Sequence, residues 1–579
     1  MDDVRGHIRA VRGSMVTVVF DGRIHQNEIA YVFCGKEKLK AEVLRIDQNL
    51  AILQVFEETS GLRVGDEIVF TGKLLSVDVG PGLLGQVYDG LQNPLEKLAE
   101  KAGNFLIRGL SYDALDKNRL WNFLPLTNAG KKVKAGSFLG EVGEGAISHK
   151  IMVPFHFRGY LEVKYITDSG AYTIHDTIAE LMDREGTTHK VSMCFTWPVR
   201  VPVTCYEERL LPEEPLLTGT RIIDTFFPVA RGGTYCIPGP FGAGKTVLQQ
   251  ITSRYAKVDI VIIVACGERS GEVVETMREF PKLTDPTSGR TLMERTIIIS
   301  NTSSMPVAAR DSSVYTGITL AEYYRQMGLD VLLLADSTSR WAQAMREMSG
   351  LLEEIPGEEA FPAYLESRIA RFYERAGLIR LQDGSAGSIT IGGTVSPAGG
   401  NFDEPVTQSS LKVVGAFHGL SRERAGARRF PSIHPLESWS KYRSVLPEEL
   451  VKHARKLLRK GNEVFQMMSV LGEEGITIKD YLDYLRSELI DAVYLQQNSF
   501  DETDAFCPRQ RQEYVFSFLI ETLNRIPEFS EKEKARSFFA RLQQLFIDWN
   551  YSPWGSEAFA GTEDLIRRMI DEVAGKSHE

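Results

Sequence analysis

Residues 234–246 read Thr-Tyr-Cys-Ile-Pro-Gly-Pro-Phe-Gly-Ala-Gly-Lys-Thr, a short apolar run followed by a glycine-rich loop. The part from Gly239 to Thr246 matches the pattern GxxxxGK[ST], and the helix-forming stretch VLQQITSRYA follows it directly. A strand, a glycine-rich turn and a helix in this order surround an anion with backbone N–H groups and a helix N-terminus. The stretch therefore predicts a P-loop, and with it a phosphate-binding site on an α/β sheet.

The residues of this loop have distinct expected roles. Gly239, Gly242 and Gly244 let the backbone N–H groups point at phosphate oxygens. Lys245 is expected to neutralise the β and γ phosphates, and Thr246 is expected to coordinate Mg²⁺. The full set expected to contact a nucleotide within the loop is Gly239, Pro240, Phe241, Gly242, Ala243, Gly244, Lys245 and Thr246.

Two other apolar runs lead to carboxylates. Residues 331–336, Val-Leu-Leu-Leu-Ala-Asp, end at Asp336, and the run DIVIIVACG at 259–267 is followed by Glu268. Asp336 is the candidate to support Mg²⁺, and Glu268 is the candidate to position an attacking water. Ligands bind at the carboxyl ends of strands in open parallel sheets, so we expect Gly239, Glu268 and Asp336 to converge on one crevice. A strand-end carboxylate can also cap a turn or face solvent, so both assignments depend on the P-loop.

The pattern changes along the chain, whose 579 residues are enough for several domains. From about 4 to 75, runs such as SMVTVVF and LAILQVF alternate with Gly, Asn and Asp turns, which is typical of a small antiparallel barrel. Between about 111 and 190 the runs VKAGSFLGEV and VPFHFRGYLEV have the spacing of barrels that carry lipoyl groups. Lys150 lacks the sequence context of a modified lysine, so this region is interpreted as structural and inserted.

Composition narrows the possible functions. The formal net charge of -10 and the pI near 5.7 disfavour nucleic-acid binding. The cysteines have no CxxC spacing, so neither a zinc site nor a disulfide framework is indicated; they are Cys34, Cys194, Cys205, Cys236, Cys266 and Cys507. The first residues lack the apolar core of a signal peptide, and no apolar run approaches about 20 residues. We therefore expect a cytoplasmic protein, or one that faces the cytoplasm.

Four motifs together resemble the catalytic subunits of V-type, A-type and F-type rotary ATPases. They are GPFGAGKT at 239–246, CGER at 266–269, LLLADSTSR at 332–340 and PSIHPLESWS at 431–440. The last motif matches the family signature of Pro, a small residue, an aliphatic residue, Asp/Asn/His and two spaced serines. The resemblance covers nearly the whole chain, and the insertion points to the catalytic alpha chain of the V/A branch.

Pattern and resemblance together predict an α/β multidomain fold. The expected regions are an N-terminal β-barrel at 1–75, a connection at 76–110, an inserted β-rich bulge domain at 111–190, a RecA-like P-loop ATPase domain at 191–440 and a C-terminal helical domain at 441–579. In the last region, Ser530 and Glu533 fit a capping box that would begin a helix.

The resemblance also implies roles for individual residues. Arg269 and Arg340 would contact the terminal phosphate, and Glu272 would help to order the water shell of the metal. Phe430 would stack on adenine and Phe506 would close its other face, although core packing is the alternative for both. The implied catalytic set is Glu268, Lys245, Arg269 and Arg340, the implied metal set is Thr246, Asp336 and Glu272, and the implied cofactor is Mg²⁺ with ATP or ADP.

The resemblance further implies an assembly at the cytoplasmic face of a membrane. The chain would alternate with a homologous noncatalytic B subunit in a hetero-hexameric ring, which contacts central-stalk and peripheral-stalk subunits. The ring would couple ATP hydrolysis or synthesis to H⁺ or Na⁺ transport through a separate membrane sector. An arginine finger from the neighbouring chain would complete each catalytic site.

Two other interpretations stay open at this point. The first is a protein-export ATPase of the flagellar or type III secretion kind, which lacks the long insertion. The second is a noncatalytic nucleotide-binding or RNA-binding ring protein, to which the run Arg422, Arg424, Arg428 and Arg429 could contribute a basic patch. Ion pairs on a solvated face or at an interface are the simpler explanation of that run in an acidic chain.

Overall fold

A computed structural model describes residues 4–102, 108–286, 289–303 and 305–576. The chain divides into two compact units. The first unit comprises Met1–Leu211, Val258–Val395 and Asp403–Val413, and the second comprises Pro212–Lys257, Ser396–Phe402 and Val414–Glu579. The region 191–440, predicted from the pattern to be one nucleotide-binding domain, contributes residues to both units.

The first unit begins with a closed barrel, as predicted. Its strands are β1 (Arg5–Arg12), β2 (Met15–Phe20), β3 (Glu28–Cys34), β4 (Glu37–Asp47), β5 (Leu50–Val55) and β6 (Glu67–Leu74), joined in the order β1-β2-β5-β4-β3-β6. Alternate side chains of each strand point inward, so Val16, Val18 and Leu53 are fully buried. β-Branched residues pack well on such a pleated surface.

A second β-rich region follows the barrel. Its elements are β7 (Ser76–Val79), β8 (Val87–Tyr88), α1 (Leu95–Ala102), β9 (Trp121–Pro125), β10 (Lys132–Val133), β11 (Phe138–Glu144), β12 (Ile147–Met152), β13 (Leu161–Ile166), β14 (Gly170–Tyr172), β15 (Ala179–Met182), β16 (Thr188–Val191) and β17 (Phe195–Pro198). Two four-stranded sheets form here, β10-β13-β15-β16 and β12-β11-β9-β14. Leu139, Val163 and Leu181 lie in their shared core.

The elements between residues 208 and 440 alternate between strand and helix. They are β18 (Glu208–Leu210), β19 (Pro215–Leu216), α2 (Arg221–Phe226), β20 (Val229–Ala230), β21 (Thr234–Pro238), α3 (Lys245–Tyr255), β22 (Ile260–Glu268), α4 (Ser270–Glu279), β23 (Thr296–Thr302), α5 (Val307–Arg325), β24 (Asp330–Asp336), α6 (Thr338–Leu351), α7 (Leu365–Tyr373), β25 (Gly377–Arg380), β26 (Ala386–Val395), α8 (Pro405–Val413), β27 (Ala416–Phe417), α9 (Arg422–Gly426) and β28 (Trp439–Ser440).

The first unit holds a mostly parallel sheet. Strand β22 lies between β23 and β24, each parallel to it, β8 continues the sheet beyond β23, and β26 is parallel to β24. Nearly every side chain of β22, β23 and β24 is buried, as expected for strands covered on both faces. Helix α5 packs against β22 and β24, and it is buried along almost its whole length.

The second unit holds the P-loop and the helical C-terminal region. Strand β21 pairs in parallel with β27, and β27 pairs antiparallel with β28. The C-terminal helices are α10 (Glu448–Leu471), α11 (Ile478–Ile490), α12 (Arg509–Arg525), α13 (Lys532–Tyr551) and α14 (Glu557–Lys576), and a π-helical turn at Asp491–Leu495 follows α11. Trp549 is fully buried and contacts the rings of Phe518 and Phe559.

The predicted capping box of α13 is wrong in detail. The helix begins at Lys532, so the N-cap position falls on Glu531, and this residue makes no side-chain cap hydrogen bond. A capping box needs the serine itself at the N-cap, where its hydroxyl accepts a hydrogen bond from the helix. Ser530 lies one residue too early for that geometry.

No helix in the part of the chain that the structure describes is long and apolar enough to cross a membrane. All six cysteines lie in described residues and all are free thiols. Cys236, Cys266 and Cys507 are buried, whereas the other three are partly exposed.

Candidate functional site

The P-loop in the second unit has the geometry that its sequence predicts. It joins the end of β21 to the start of α3, and Gly242 and Gly244 have φ angles of 78° and 90°. These angles lie in the left-handed region, where a side chain would strain the backbone. A Cβ atom added to Gly239 would lie 2.7 Å from Leu420 Cβ, so this position also needs a glycine. The helix N-terminus and the loop amides together form a ready anion site.

Lys245 begins α3 and folds back over its own loop. Its Nζ donates hydrogen bonds to the carbonyl oxygens of Gly239 (2.8 Å) and Pro240 (3.0 Å). The Ser432 hydroxyl donates to the Ala243 carbonyl oxygen at 2.6 Å and ties the PSIHP motif to the loop. The conformation of the P-loop is therefore held both by its own lysine and by a residue of the PSIHP motif, which lies nearly two hundred residues later in the sequence.

A cavity of about 530 Å³ opens beside the P-loop, within the second unit. Loop residues Gly242 to Gly244 line one side, and Val247 and Ile251 of α3 continue that wall. Other lining residues include Phe430, Pro431, Ser432, the segment 496–500, Asn550 and Tyr551, and three charged residues, Arg221, Arg428 and Asp504, also line the cavity. A volume of this size and a mostly apolar lining suit a drug-sized ligand.

The aromatic residues predicted to hold adenine have different positions. Phe430 lines the cavity and is 43% exposed. Phe506 is not among the described residues that line it, because its ring stacks on Tyr255 at 5.4 Å and packs closely against Gly219. Phe500 lines the cavity instead and is 90% exposed. No motif in the sequence had pointed to Phe500, although it lies in the same segment, six residues earlier.

The strand-end carboxylates lie together in the first unit. Strands β22 and β24 are adjacent and parallel, with Ala265 opposite Asp336. Glu268 ends β22, and Asp336 ends β24, so both lie at the carboxyl edge of the sheet as predicted. The Thr394 hydroxyl donates to Asp336 Oδ1 at 2.6 Å and fixes the direction of this carboxylate.

Arg340 lies beside the turn that precedes Glu268. Gly267 has a φ of 72°, and a Cβ atom added to it would lie 3.1 Å from Arg340 Cβ. The stem of Arg340, in the first turn of α6, therefore passes directly over this glycine. Arg269 follows Glu268 and is exposed. Glu272 lies in α4, but its side chain falls outside the described residues.

The donors near Asp336 suit a magnesium ion that arrives with a nucleotide. Among the described residues, no group of three or more His, Cys, Asp or Glu side chains could hold a metal ion by itself. Asp336 is 8% exposed, and the adjacent Ser337 hydroxyl is buried without a hydrogen-bond partner. One carboxylate and hydroxyl oxygens are hard donors that fit Mg²⁺, which usually completes its shell with waters and substrate phosphates.

Two of the four arginines in the run near the cavity form ion pairs within the second unit. Arg424 is buried against Asp491, and Arg429 bridges Glu488 and Asp491. The neighbouring carboxylates raise the pKa of Arg429. For Arg424 and Arg429 these contacts fit the simpler explanation, because the ion pairs hold α9 and the residues after it against α11 and the π-helical turn that follows it.

Four family models match the chain. Their descriptions and matched residues are the ATP synthase alpha/beta family beta-barrel domain (8–72), the ATP synthase alpha/beta subunit barrel-sandwich domain (112–200), the ATP synthase alpha/beta family nucleotide-binding domain (219–440) and the C-terminal domain of V and A type ATP synthase (448–535).

Several curated proteins are similar to the chain over its whole length. The V-type ATP synthase alpha chain of Treponema denticola is 62% identical over 579 residues, which cover 100% of this chain and 98% of the relative. The V-type ATP synthase alpha chain 1 of Treponema pallidum is 61% identical over 576 residues, covering 100% and 98%. The V-type ATP synthase alpha chain of Borrelia recurrentis is 60% identical over 568 residues, covering 98% and 99%.

Proposed function

The chain belongs to the family of V-type ATP synthase alpha chains, and we propose that it is the subunit in which such an enzyme makes or hydrolyses ATP. The observation that carries the proposal is the full-length identity of about 60% to these alpha chains. The P-loop with its lysine, and the carboxylates that end β22 and β24, supply the groups that phosphoryl transfer needs.

We propose the following roles for the P-loop. The backbone N–H groups of the loop 239–246, apart from Pro240, and the Lys245 ammonium bind the β and γ phosphates. The two carbonyl oxygens that accept hydrogen bonds from Lys245 hold its Nζ at the loop until phosphate oxygens replace them. Thr246 would supply a hydroxyl to a bound Mg²⁺, which would contribute positive charge beside the phosphates.

The carboxyl edge of the first-unit sheet would supply the remaining groups. Glu268 positions and polarises the attacking water, while Asp336 supports the water shell of Mg²⁺. Arg340 and Arg269 stabilise the terminal phosphate, because a guanidinium offers paired donors to phosphate oxygens. Glu272 is assigned to the metal shell by its motif alone.

Adenine is proposed to occupy the cavity beside the P-loop. Phe430 gives one stacking surface, and base–aromatic stacking is worth about 1–3 kcal/mol. For the second aromatic we propose Phe500 in place of Phe506, because Phe500 lines the cavity and Phe506 does not.

The wider assembly is also part of the proposal. The chain would alternate with a noncatalytic B subunit in a ring at the cytoplasmic face of a membrane. Central and peripheral stalks would connect that ring to an ion-translocating sector. The domain boundaries near residues 75, 110, 190 and 440 are proposed with it.

The two alternatives are not favoured. An export ATPase would lack the insertion, whereas the barrel-sandwich model matches residues 112–200. A noncatalytic or RNA-binding ring subunit would not need the P-loop lysine and the Glu of CGER together. The three relatives described above are alpha chains.

The test is Mg-ATP turnover of the chain reconstituted with its partner subunits. We expect Lys245→Ala to lose nucleotide binding and turnover. We expect Glu268→Gln to keep nucleotide binding but to lose about 10²–10⁴-fold in kcat. Lys257→Ala, which removes an exposed lysine just beyond the end of α3, is the matched control and should turn over normally. Normal hydrolysis by Glu268→Gln would remove the water-positioning role from Glu268.

A further inference from the structure

A buried indole directly follows Arg340 in the chain. Trp341 is fully buried, and its Nε1–H donates a hydrogen bond to Asp311 Oδ1 at 2.9 Å. Asp311 lies in the first half of α5, and Trp341 lies in the first turns of α6. This hydrogen bond joins α5 to α6 at the residue next to Arg340, which is proposed to contact the terminal phosphate.

The carboxylate that accepts this bond is itself held in place. Arg200 Nη2 lies 3.1 Å from Asp311 Oδ2, and Arg368 Nη1 lies 3.6 Å from the same oxygen. Although burial opposes ionisation, these two guanidinium groups keep the pKa of Asp311 below its ordinary value. Asp311 therefore offers the indole N–H a charged acceptor, which makes a stronger hydrogen bond than a neutral one.

Arg200 connects the cluster to the barrel. Its Nε and Nη2 each lie 3.1 Å from one carboxylate oxygen of Glu42 in β4. A guanidinium that bridges two carboxylates in fixed fork geometry restricts the direction of both. The position of Asp311 thus depends on contacts from several elements, not on α5 alone.

Helix α5 also contributes a residue beside the Arg340 side chain. A Cβ atom added to Gly267 would lie 3.1 Å from Arg340 Cβ and 3.3 Å from Arg310 Cδ, so both arginine stems crowd this turn. Arg310 Nη2 also pairs with Glu347 Oε2 of α6 at 2.9 Å. Adjacent residues of α5 therefore hold α6 at two points. Asp311 accepts the hydrogen bond of the Trp341 indole, and Arg310 pairs with Glu347.

We infer that Asp311 is a positioning residue for the ATP reaction, which acts through the Trp341 indole to set the direction of the Arg340 guanidinium. The inference rests on the role proposed for Arg340 above. Core packing alone does not require this arrangement, because a buried tryptophan needs only one neutral acceptor for its N–H. A carboxylate with two arginine partners holds the donor more rigidly than a carbonyl would.

The test uses the full chain in complex with its partner subunits. Trp341→Phe keeps an aromatic ring in the core but removes the N–H donor. We expect kcat to fall about tenfold while the KM for ATP changes less than about twofold, since small misplacements of a catalytic group cost rate rather than binding. In an Arg340→Ala background, followed by single turnovers, Trp341→Phe should cause no further fall.

A second readout does not depend on turnover. ADP with Mg²⁺ and fluoroaluminate mimics a phosphoryl group in transfer, so its trapping reports on Arg340. Trp341→Phe and Asp311→Asn should weaken this trapping, while the affinity for ADP alone stays the same. Trp197→Phe is the matched control, because that indole N–H donates to the Val201 carbonyl oxygen at 2.8 Å, outside this cluster; it should leave trapping unchanged.

The outcomes separate the two roles. If Arg340→Ala keeps wild-type turnover, the role proposed for Arg340 is wrong and this inference fails with it. If Arg340→Ala loses turnover but Trp341→Phe leaves kcat and trapping intact, the positioning role alone is wrong. The positioning role is equally wrong if the Trp341→Phe effect persists at full size without Arg340.

Discussion

Aromatic residues around the cavity differ in what they can contribute. Phe430 and Phe500 line it, whereas Phe506 stacks on Tyr255 with an interplanar angle of 19°. The Phe506 ring is packed against Tyr255 and Gly219 and does not line the cavity. Burial and ring contacts therefore distinguish phenylalanines that cannot be told apart in the sequence.

We therefore predict different effects for three alanine variants. Phe430→Ala and Phe500→Ala should each raise the KM for ATP by about tenfold, the loss expected for one stacked base. Phe506→Ala should leave the KM nearly unchanged but lower the unfolding temperature, because it removes packing against Tyr255 and Gly219. Steady-state kinetics and thermal unfolding of the three variants check this. A KM increase confined to Phe430→Ala and Phe506→Ala would restore the original sequence-based assignment.

Elements of the second unit are joined by a buried histidine. His418, which follows β27, donates through Nε2 to the Phe227 carbonyl oxygen at the end of α2, at 2.8 Å. The other ring nitrogen is buried without a partner. Burial lowers the pKa of His418 from 6.5 to about 4. The neutral imidazole therefore links the residue after β27 to the end of α2 through this hydrogen bond.

This pKa predicts how stability depends on pH. The unfolded chain takes up the proton at a higher pH than the folded chain, so the contribution is fully present above about 6.5 and is lost as pH falls through about 4. The loss should approach about 3 kcal/mol. His418→Gln should flatten the fall in unfolding temperature across this window, whereas His7→Gln, which changes an exposed barrel histidine, should not. Parallel slopes for wild type and His418→Gln would contradict the prediction.

At the scale of the whole molecule, the chain carries its own P-loop and carboxylates but acts within a proposed ring. Arginine fingers supplied by a neighbouring protein are worth about 10³–10⁵ in rate in other nucleotide hydrolases. The purified chain alone should therefore bind Mg-ATP yet turn it over about 10³-fold more slowly than the reconstituted complex. A complex that carries Lys245→Ala gives the background rate, because it should not turn over ATP. Equal turnover with and without partner subunits would mean that the site is complete in one chain.

Features that depend on local backbone chemistry could be predicted from the sequence. The P-loop, the strand-end positions of Glu268 and Asp336, the barrel and the helical C-terminus all follow from spacing and residue type over short stretches. Such stretches dictate their own conformation, because glycines at fixed positions, strand periodicity and helix propensity act between near neighbours. The predicted capping box of α13 is wrong because a sequence pattern locates a helix end only to within one or two residues.

Which distant residues share a site follows from the tertiary structure alone. Folding places Phe500 rather than Phe506 at the cavity, ties Ser432 to the loop carbonyl of Ala243, and joins Asp311 to Trp341. It also groups the P-loop segment 212–257 with the C-terminal helices in one compact unit. These contacts join residues far apart in the chain. For each contact, many other side chains with the same secondary-structure propensity could have taken the same place. The side chain that makes the contact is decided by packing and burial in the folded protein, and a local sequence pattern does not contain that information.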